Sequence, residues 1–210
     1  MGWIELWTGV LTKPGETYAA NKNKGDFSEG MKMIAACSLV YGLLVGIAVF
    51  VLASAAGTLF GGVGLGATLG VGGLVVAVIG SVVLGVVGSY VMNHILLFAS
   101  KLMGGTGEFN KQFYLYAITA APVMILAGIA NLIPVVGMLL AMLVSLYALY
   151  LWILMLKEVH GFDLGKAVIA LILSAVIIAV IAFVIGLVIA MLGIAYLTPS
   201  MTTSGPLPVT

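Results

Sequence analysis

Three long stretches of this chain contain no Asp, Glu, Lys or Arg, and they constrain its fold more than any other feature. They cover residues 33–100, 112–156 and 167–210, which is 68, 45 and 44 residues. A helix needs about 20 apolar residues to cross a bilayer, so the first two stretches are each long enough for two crossings. Soluble domains carry about 25% charged residues, whereas this chain carries 7% and is 63% hydrophobic. The sequence therefore predicts a multi-pass membrane protein.

Turn signals divide these stretches into helices. The segment "NLIPVVG" (131–137) places Asn and Pro in the middle of the second stretch, which is typical of a turn. The segment "GTLFGGVGLGATLGVGG" (57–73) has eight glycines in 17 residues, a density that disfavours a helix and indicates a flexible or re-entrant connection. We predict an all-α fold with five transmembrane helices and a flexible tail at 198–210. The predicted helices cover about 33–56, 74–98, 115–132, 135–156 and 167–197.

The lysines test this count independently. Cytoplasmic loops of membrane proteins carry an excess of lysine and arginine. With five alternating crossings, all eight lysines fall on the side of the N-terminus, and the other loops have none. We therefore expect a cytoplasmic N-terminal segment (1–32), an external C-terminus and a location in the cell membrane.

Residues 2–11 have a different pattern. Their apolar residues recur at helical spacing, and tryptophan prefers the headgroup region of a bilayer. We expect a short amphipathic helix that lies on the inner leaflet; the alternative is an arm that packs on the bundle. The residues concerned are Trp3, Leu6, Trp7, Val10 and Leu11.

Small residues recur on single faces of several predicted helices. Because lipid supplies no hydrophobic drive for helix pairing, such faces let two backbones approach closely. We interpret them as packing seams, and association with a second copy or a protein partner through one of them stays open. Pro122 lies inside the third predicted helix and is expected to interrupt it. The seams contain Gly42 and Gly46; Ser81, Gly85 and Ser89; and Ala167, Ala170, Ser174, Gly186, Ala190 and Gly193.

The segment "LKEVHGFDLGKA" (156–167) gathers five titratable groups between two apolar stretches. A structural interpretation accounts for most of it. Gly161 suits the left-handed position that ends a helix, and Asp163 suits the N-cap of the next helix. His160 has no comparable role.

A functional interpretation adds His94 and its neighbour Asn93, because ionisable groups near membrane depth are functional candidates. Both histidines lie at the inner ends of predicted helices. We expect a hydrogen bond from a histidine to Glu158 or Asn93 to stabilise this corner. A divalent metal held by His94, Glu158, His160 and Asp163 is a weaker alternative, and we predict neither a metal nor a cofactor. The candidate polar cluster is His94, Asn93, Glu158, His160 and Asp163.

Patterns of known catalytic chemistry are missing from the sequence. It contains no Gly-x-Ser-x-Gly, no His-Glu-x-x-His and no Walker-type phosphate loop. The glycines of "GGTGEF" (104–109) are followed by neither Lys-Ser nor a strand, so we interpret them as a flexible inner loop. We expect no enzyme and no nucleic-acid binding; the expected surroundings are the lipid bilayer.

Three segments resemble Yip1-domain proteins. They are "WTGVLTKPGETYAANKNKGDFSEGMKMI", "NHILLFASKLMGGTGEFNKQFYLYAITAAP" and "LYLWILMLKEVHGFDLGKA". The resemblance covers residue 5 to about residue 195 and implies the same five-helix order. Eukaryotic proteins of this type act in vesicle trafficking and engage small GTPases through cytosolic N-terminal regions. The 32 residues before the first predicted helix are much shorter than such a region, so the chain looks more like prokaryotic members.

Two functions follow from these patterns as hypotheses. The first is a non-enzymatic membrane protein of Yip1 type, which acts as a scaffold or membrane organiser through its inner-face loops. The alternative is a channel or small-solute transporter that uses His94 and the helix break at Pro122.

Overall fold

The computed structural model describes residues 2–59, 63–133 and 136–201. The described residues are helical almost throughout and contain no strand. There are seven helices in this part of the chain. They are α1 (Trp3–Thr12), α2 (Pro14–Asn21), α3 (Phe27–Leu59), α4 (Val63–Leu102), α5 (Phe109–Ala130), α6 (Val136–His160) and α7 (Leu164–Met201).

Helices α3 to α7 are each long and apolar enough to cross a membrane, which makes five among the described residues. This confirms the all-α fold with five membrane-spanning helices. The predicted external C-terminus and cytoplasmic N-terminus stay predictions. The flexible tail predicted for 198–210 lies largely outside the described residues, and α7 continues to Met201.

Helices α3 and α4 pack along a seam of small residues. A Cβ atom on Gly42 would collide with Ser81 Oγ and would lie 2.9 Å from Val78 Cα. Further along the seam, a Cβ on Gly70 would lie 2.9 Å from a ring carbon of Phe50. The prediction of close-packing seams on these two helices is therefore confirmed.

The same seam explains why the glycine-rich segment 57–73 was predicted wrongly. Helix α3 continues to Leu59, and α4 is already helical from Val63. Glycine lowers helix propensity, but propensity is a weak prior that tertiary packing overrides. Here Gly70 and Gly73 lie against Phe50 and Val49 of α3, where a larger residue would not fit. Residues 60–62 lie outside the described part.

One end of the bundle, which we call the polar end, gathers the start points of α3, α5 and α7 and the end points of α4 and α6. Helix α5 is the central element there, because its residues from 112 to 122 are all buried. Phe27 of α3 packs on Phe113 with ring centroids 4.7 Å apart. The polar end is therefore a packed core.

The N-terminal segment forms two helices that dock on this core. Tyr18 of α2 is fully buried, and its hydroxyl group lies 2.8 Å from Thr119 Oγ1. Burial raises the pKa of Tyr18, so this phenol stays neutral. The Tyr147 hydroxyl donates to the carbonyl oxygen of Leu11 over 2.7 Å, which satisfies a carbonyl at the end of α1. The predicted helix at the N-terminus is confirmed, and it packs on the bundle; its place at the inner leaflet stays a prediction.

The remaining predictions concern Pro122 in α5 and the small-residue seam of α7. Pro122 lies inside α5, is buried, and borders an apolar crevice beside α1. At the start of α7 the predicted seam residues Ala167, Ala170 and Ser174 are buried. From residue 179 to residue 191 every position is exposed, so association through the seam residues in that range stays a prediction.

Candidate functional site at the polar end

The turn between α6 and α7 directs the side chain of His160 into the protein. Gly161 has φ +68°, the left-handed conformation that ends a helix. Asp163 Oδ1 accepts a hydrogen bond from the backbone N–H of Lys166 at 2.8 Å and so caps α7. Both predicted capping roles are confirmed. The His160 ring stacks on Phe162 and is 2% exposed.

His160 has hydrogen-bond partners on both ring nitrogens. The backbone N–H of Gly107 donates to Nδ1 over 3.1 Å. Because Nδ1 accepts, the ring proton resides on Nε2, which donates to Gln112 Oε1 over 2.8 Å. The hydrogen-bond pattern thus selects the neutral Nε2–H tautomer.

Gln112 connects His160 to α4 through further hydrogen bonds. Its Nε2 donates to the carbonyl oxygen of Asn93 at 2.9 Å and to Asn93 Oδ1 at 3.2 Å. The side-chain amide of Asn93 then donates to the carbonyl oxygen of Ser89 at 2.9 Å. Asn93 and Gln112 are completely buried. We call Gly107, His160, Gln112 and Asn93 the polar network; each donor in it has an acceptor.

The polar network fixes the loop between α4 and α5. Besides the Gly107 bond, the backbone N–H and the hydroxyl group of Thr106 donate to the carbonyl oxygen of His160 at 3.4 and 3.3 Å. Glycine is required at 107, since a Cβ there would lie 2.8 Å from His160 Nδ1. The flexible loop predicted from "GGTGEF" is therefore wrong at these positions: the glycines give space to the imidazole.

The structure does not bring the two histidines together. His94 is exposed, and its Nδ1 donates to the carbonyl oxygen of Tyr90 at 2.9 Å. Its ring lies against Phe109, with centroids 4.2 Å apart. Successive residues of a helix point about 100° apart, so Asn93 enters the polar network while His94 lies on another face.

The remaining members of the predicted cluster have separate partners. Glu158 lies 3.6 Å from the ammonium group of Lys22, and Asp163 caps α7. Within the described ranges, no three His, Cys, Asp or Glu side chains gather as metal ligands would. The set His94, Glu158, His160 and Asp163 therefore offers no metal centre in this structure. The expected direct bond from a histidine to Glu158 or Asn93 was wrong: His160 bonds to Gln112, which in turn bonds to Asn93, and His94 bonds to the carbonyl oxygen of Tyr90.

A pocket of about 260 Å³ lies beside the polar network. We call it the Lys–Glu pocket, after its four charged side chains. Gly107 and Gly161 border it, and the network holds Gly107 in place through its bond to His160. The lining residues are Lys22, Asn23, Thr106, Gly107, Glu108, Lys111, Glu158, Val159 and Gly161.

Sequence reasoning missed Gln112, which is central to the site. It was treated as the first residue of an apolar stretch, since it carries no charge. One signal was available: Gln112 begins a helical run that continues into apolar and aromatic residues, where an uncharged amide would need a buried partner.

Comparison with known proteins identifies the family. The model of the Yip1 domain matches residues 8–186. The chain belongs to the Yip1 domain family. The match begins in α1, ends in α7 and includes the whole polar network, so the N-terminal helices are partly within the Yip1 domain. No curated protein and no solved structure matches the chain.

Proposed function

We propose that this Yip1-domain protein is a non-enzymatic organiser of the cell membrane, which binds other components through its polar end. The polar end would face the cytoplasm, because lysine-rich loops favour that side. Seven of the eight lysines, from Lys22 onward, lie in the N-terminal approach to α3 or in the loops and helix ends at this end.

The observation that carries this proposal is the fixed shape of the 103–108 loop. A loop that is held in one conformation pays little conformational entropy on binding, so it suits recognition. Three hydrogen bonds join this loop to His160. Buried networks of this kind stabilise a unique arrangement when every member has a partner.

The transporter hypothesis gains no comparable support. Ionisable groups that mark a transport path face the interior of the bundle or a water-filled cavity. His94 is exposed on the outside of α4, and Pro122 borders a crevice with α1. Replacing His94 with Leu separates the two functions, because a transporter would lose flux while remaining folded.

Affinity purification from native membranes in mild detergent tests the proposal. The wild-type protein is compared with Gly107→Ala, which would displace His160 and the loop, and with Ser145→Ala. Ser145 is exposed on α6, and its hydroxyl group only donates to its own helix. We expect a constant set of partners with the wild type and Ser145→Ala, and loss of that set with Gly107→Ala. Recovery of no reproducible partner, or equal recovery with all three proteins, would contradict it.

A further inference from the structure

The Lys–Glu pocket has a charge pattern that restricts what it can bind. It is bordered by two ammonium groups and two carboxylates. Lys111 Nζ donates to Glu108 Oε1 at 3.1 Å. Lys22 Nζ and Glu158 Oε2 are 3.6 Å apart, beyond the usual length of a hydrogen bond. Lys22 and Glu158 therefore attract each other electrostatically without a hydrogen bond, and both groups are available to a ligand.

The charges of the pocket sum to zero, and this argues against a simple ion. A bare anion would gain from Lys22 and Lys111 but would be repelled by Glu108 and Glu158. A bare cation would be attracted by Glu108 and Glu158 but repelled by Lys22 and Lys111. A ligand with a cationic and an anionic group separated by a few atoms can satisfy both kinds of side chain at once.

We propose that the Lys–Glu pocket binds an amine–phosphate group of the phosphoethanolamine type. The phosphate oxygens would accept hydrogen bonds from Lys22 and Lys111, since lysine binds phosphate as a point charge. The ammonium group would donate to Glu158 and Glu108. Asn23, an exposed amide at the rim, supplies one further donor and acceptor.

The size of the pocket agrees with a headgroup. Its volume is about 260 Å³, whereas sites for drug-sized ligands have about 300–1,000 Å³. A phosphate with a two-carbon amine fits this space better than a nucleotide or a folded peptide segment. The polar network holds Gly107 before any ligand arrives, so this part of the wall is preformed.

This chemistry has two sources, a phosphatidylethanolamine headgroup or a soluble phosphoethanolamine ester. The inference rests on the proposed role of the polar end as a binding surface, because it names a ligand class for that surface. Binding is measured with purified full-length protein. Soluble glycerophosphoethanolamine is titrated by calorimetry, with glycerophosphate and ethanolamine as single-charge probes. Lipid retention is measured by native mass spectrometry after reconstitution with equal amounts of phosphatidylethanolamine, phosphatidylcholine and phosphatidylglycerol.

Glycerophosphate carries only negative charge and ethanolamine only positive charge. We expect the zwitterionic probe to bind at least tenfold more tightly than either of them. Lys22→Gln and Glu158→Gln should each weaken it at least tenfold. Lys13→Gln is the matched control, because Lys13 is an exposed lysine at the junction of α1 and α2, outside the pocket. It should bind like the wild type. Preferential retention of phosphatidylethanolamine, lost in the two pocket variants, would identify the lipid as the source; titration without retention would identify the soluble ester.

Several results would overturn the inference. They are binding of glycerophosphate as tight as that of the zwitterion, equal effects of all three variants, or no binding in both arms. Circular dichroism of each variant tests whether the protein remains folded. Lys22 is partly exposed, so its replacement should leave the fold intact. If the ligand does not bind while partner capture is intact, only the ligand assigned to the Lys–Glu pocket is rejected. If the ligand binds but no partner is captured, only the proposed role in partner binding is rejected.

Discussion

Replacing Gln112 with Leu is expected to destabilise the bundle through two orphaned polar groups. The substitution removes the acceptor of His160 Nε2–H and the donor to Asn93 Oδ1, and both residues are buried. An unpaired buried group costs about 1–3 kcal/mol. Hydrogen bonds in membrane bundles couple more weakly, about 0.6 kcal/mol on average. We therefore expect the lower end of that range, about 1 kcal/mol, for each of the two groups. The total loss in the free energy of unfolding is then about 2 kcal/mol.

A double-mutant cycle separates this cause from a general packing defect. His160→Phe alone leaves the Gly107 N–H and Gln112 Oε1 unpaired, and Gln112→Leu alone leaves the two groups named above. The double variant leaves only the Gly107 N–H and Asn93 Oδ1 unpaired. The two single losses should therefore sum to about 1–2 kcal/mol more than the loss of the double variant.

The assay is equilibrium unfolding in mixed micelles, followed by circular dichroism. Ser145→Ala serves as the control and should stay within about 0.5 kcal/mol of the wild type, as exposed substitutions usually do. Losses that add to within about 0.5 kcal/mol would refute the reasoning. They would mean that His160 and Gln112 contribute independently and do not form one network.

Three further predictions use the same assay. Tyr18→Phe should cost about 1 kcal/mol by removing the bond to Thr119. Burial raises the pKa of Tyr18 above its ordinary value of 10.0. The stability that wild-type Tyr18 contributes is therefore intact below about pH 10 and falls above it. The Tyr18→Phe variant should lose less stability at alkaline pH, and identical alkaline profiles would contradict this. Asp163→Ala should cost about 1 kcal/mol through the lost cap of α7, and an unchanged midpoint would show that the cap contributes nothing. Gly42→Ala should cost about 1–3 kcal/mol because its Cβ has no room against α4, whereas Gly80→Ala, with open space around it, should be neutral or stabilising; equal effects would argue against the close seam.

The sequence predicts the number of membrane helices because charge placement reports on membrane crossings directly. Lysine is expensive inside hydrocarbon, so charged loops mark the ends of the spans. The turn within 131–137 was predicted separately, from its Asn and Pro residues. Capping residues were also predictable, since Gly161 and Asp163 act on their own backbone neighbourhood.

The sequence does not predict features that depend on contacts between distant segments. The glycine-rich segment was taken for a loop because propensity was the only information available. In its described part, Gly70 and Gly73 lie against Phe50 and Val49 of α3, a contact that propensity does not report. Likewise, the docking of Tyr18 on Thr119 joins residues 101 positions apart.

The site was predicted in part for the same reason. His160 was selected because it lies in a polar segment between two apolar stretches, and Asn93 because it neighbours His94. His94 itself was selected as an ionisable group near membrane depth, yet it faces outward. Which of two neighbouring residues faces the core depends on helix rotation, and that is decided by packing around Gln112.

The proposed binding role of the polar end depends most on this end being the cytoplasmic face. The direct test introduces single cysteines into a Cys37→Ala background, since Cys37 is the one native cysteine. Asn110→Cys lies at the polar end and Asn131→Cys at the opposite end, and both positions are exposed. A membrane-impermeant maleimide added to intact cells should label the cysteine at 131 and should label the one at 110 only after permeabilisation. Labelling of position 110 in intact cells would contradict the account.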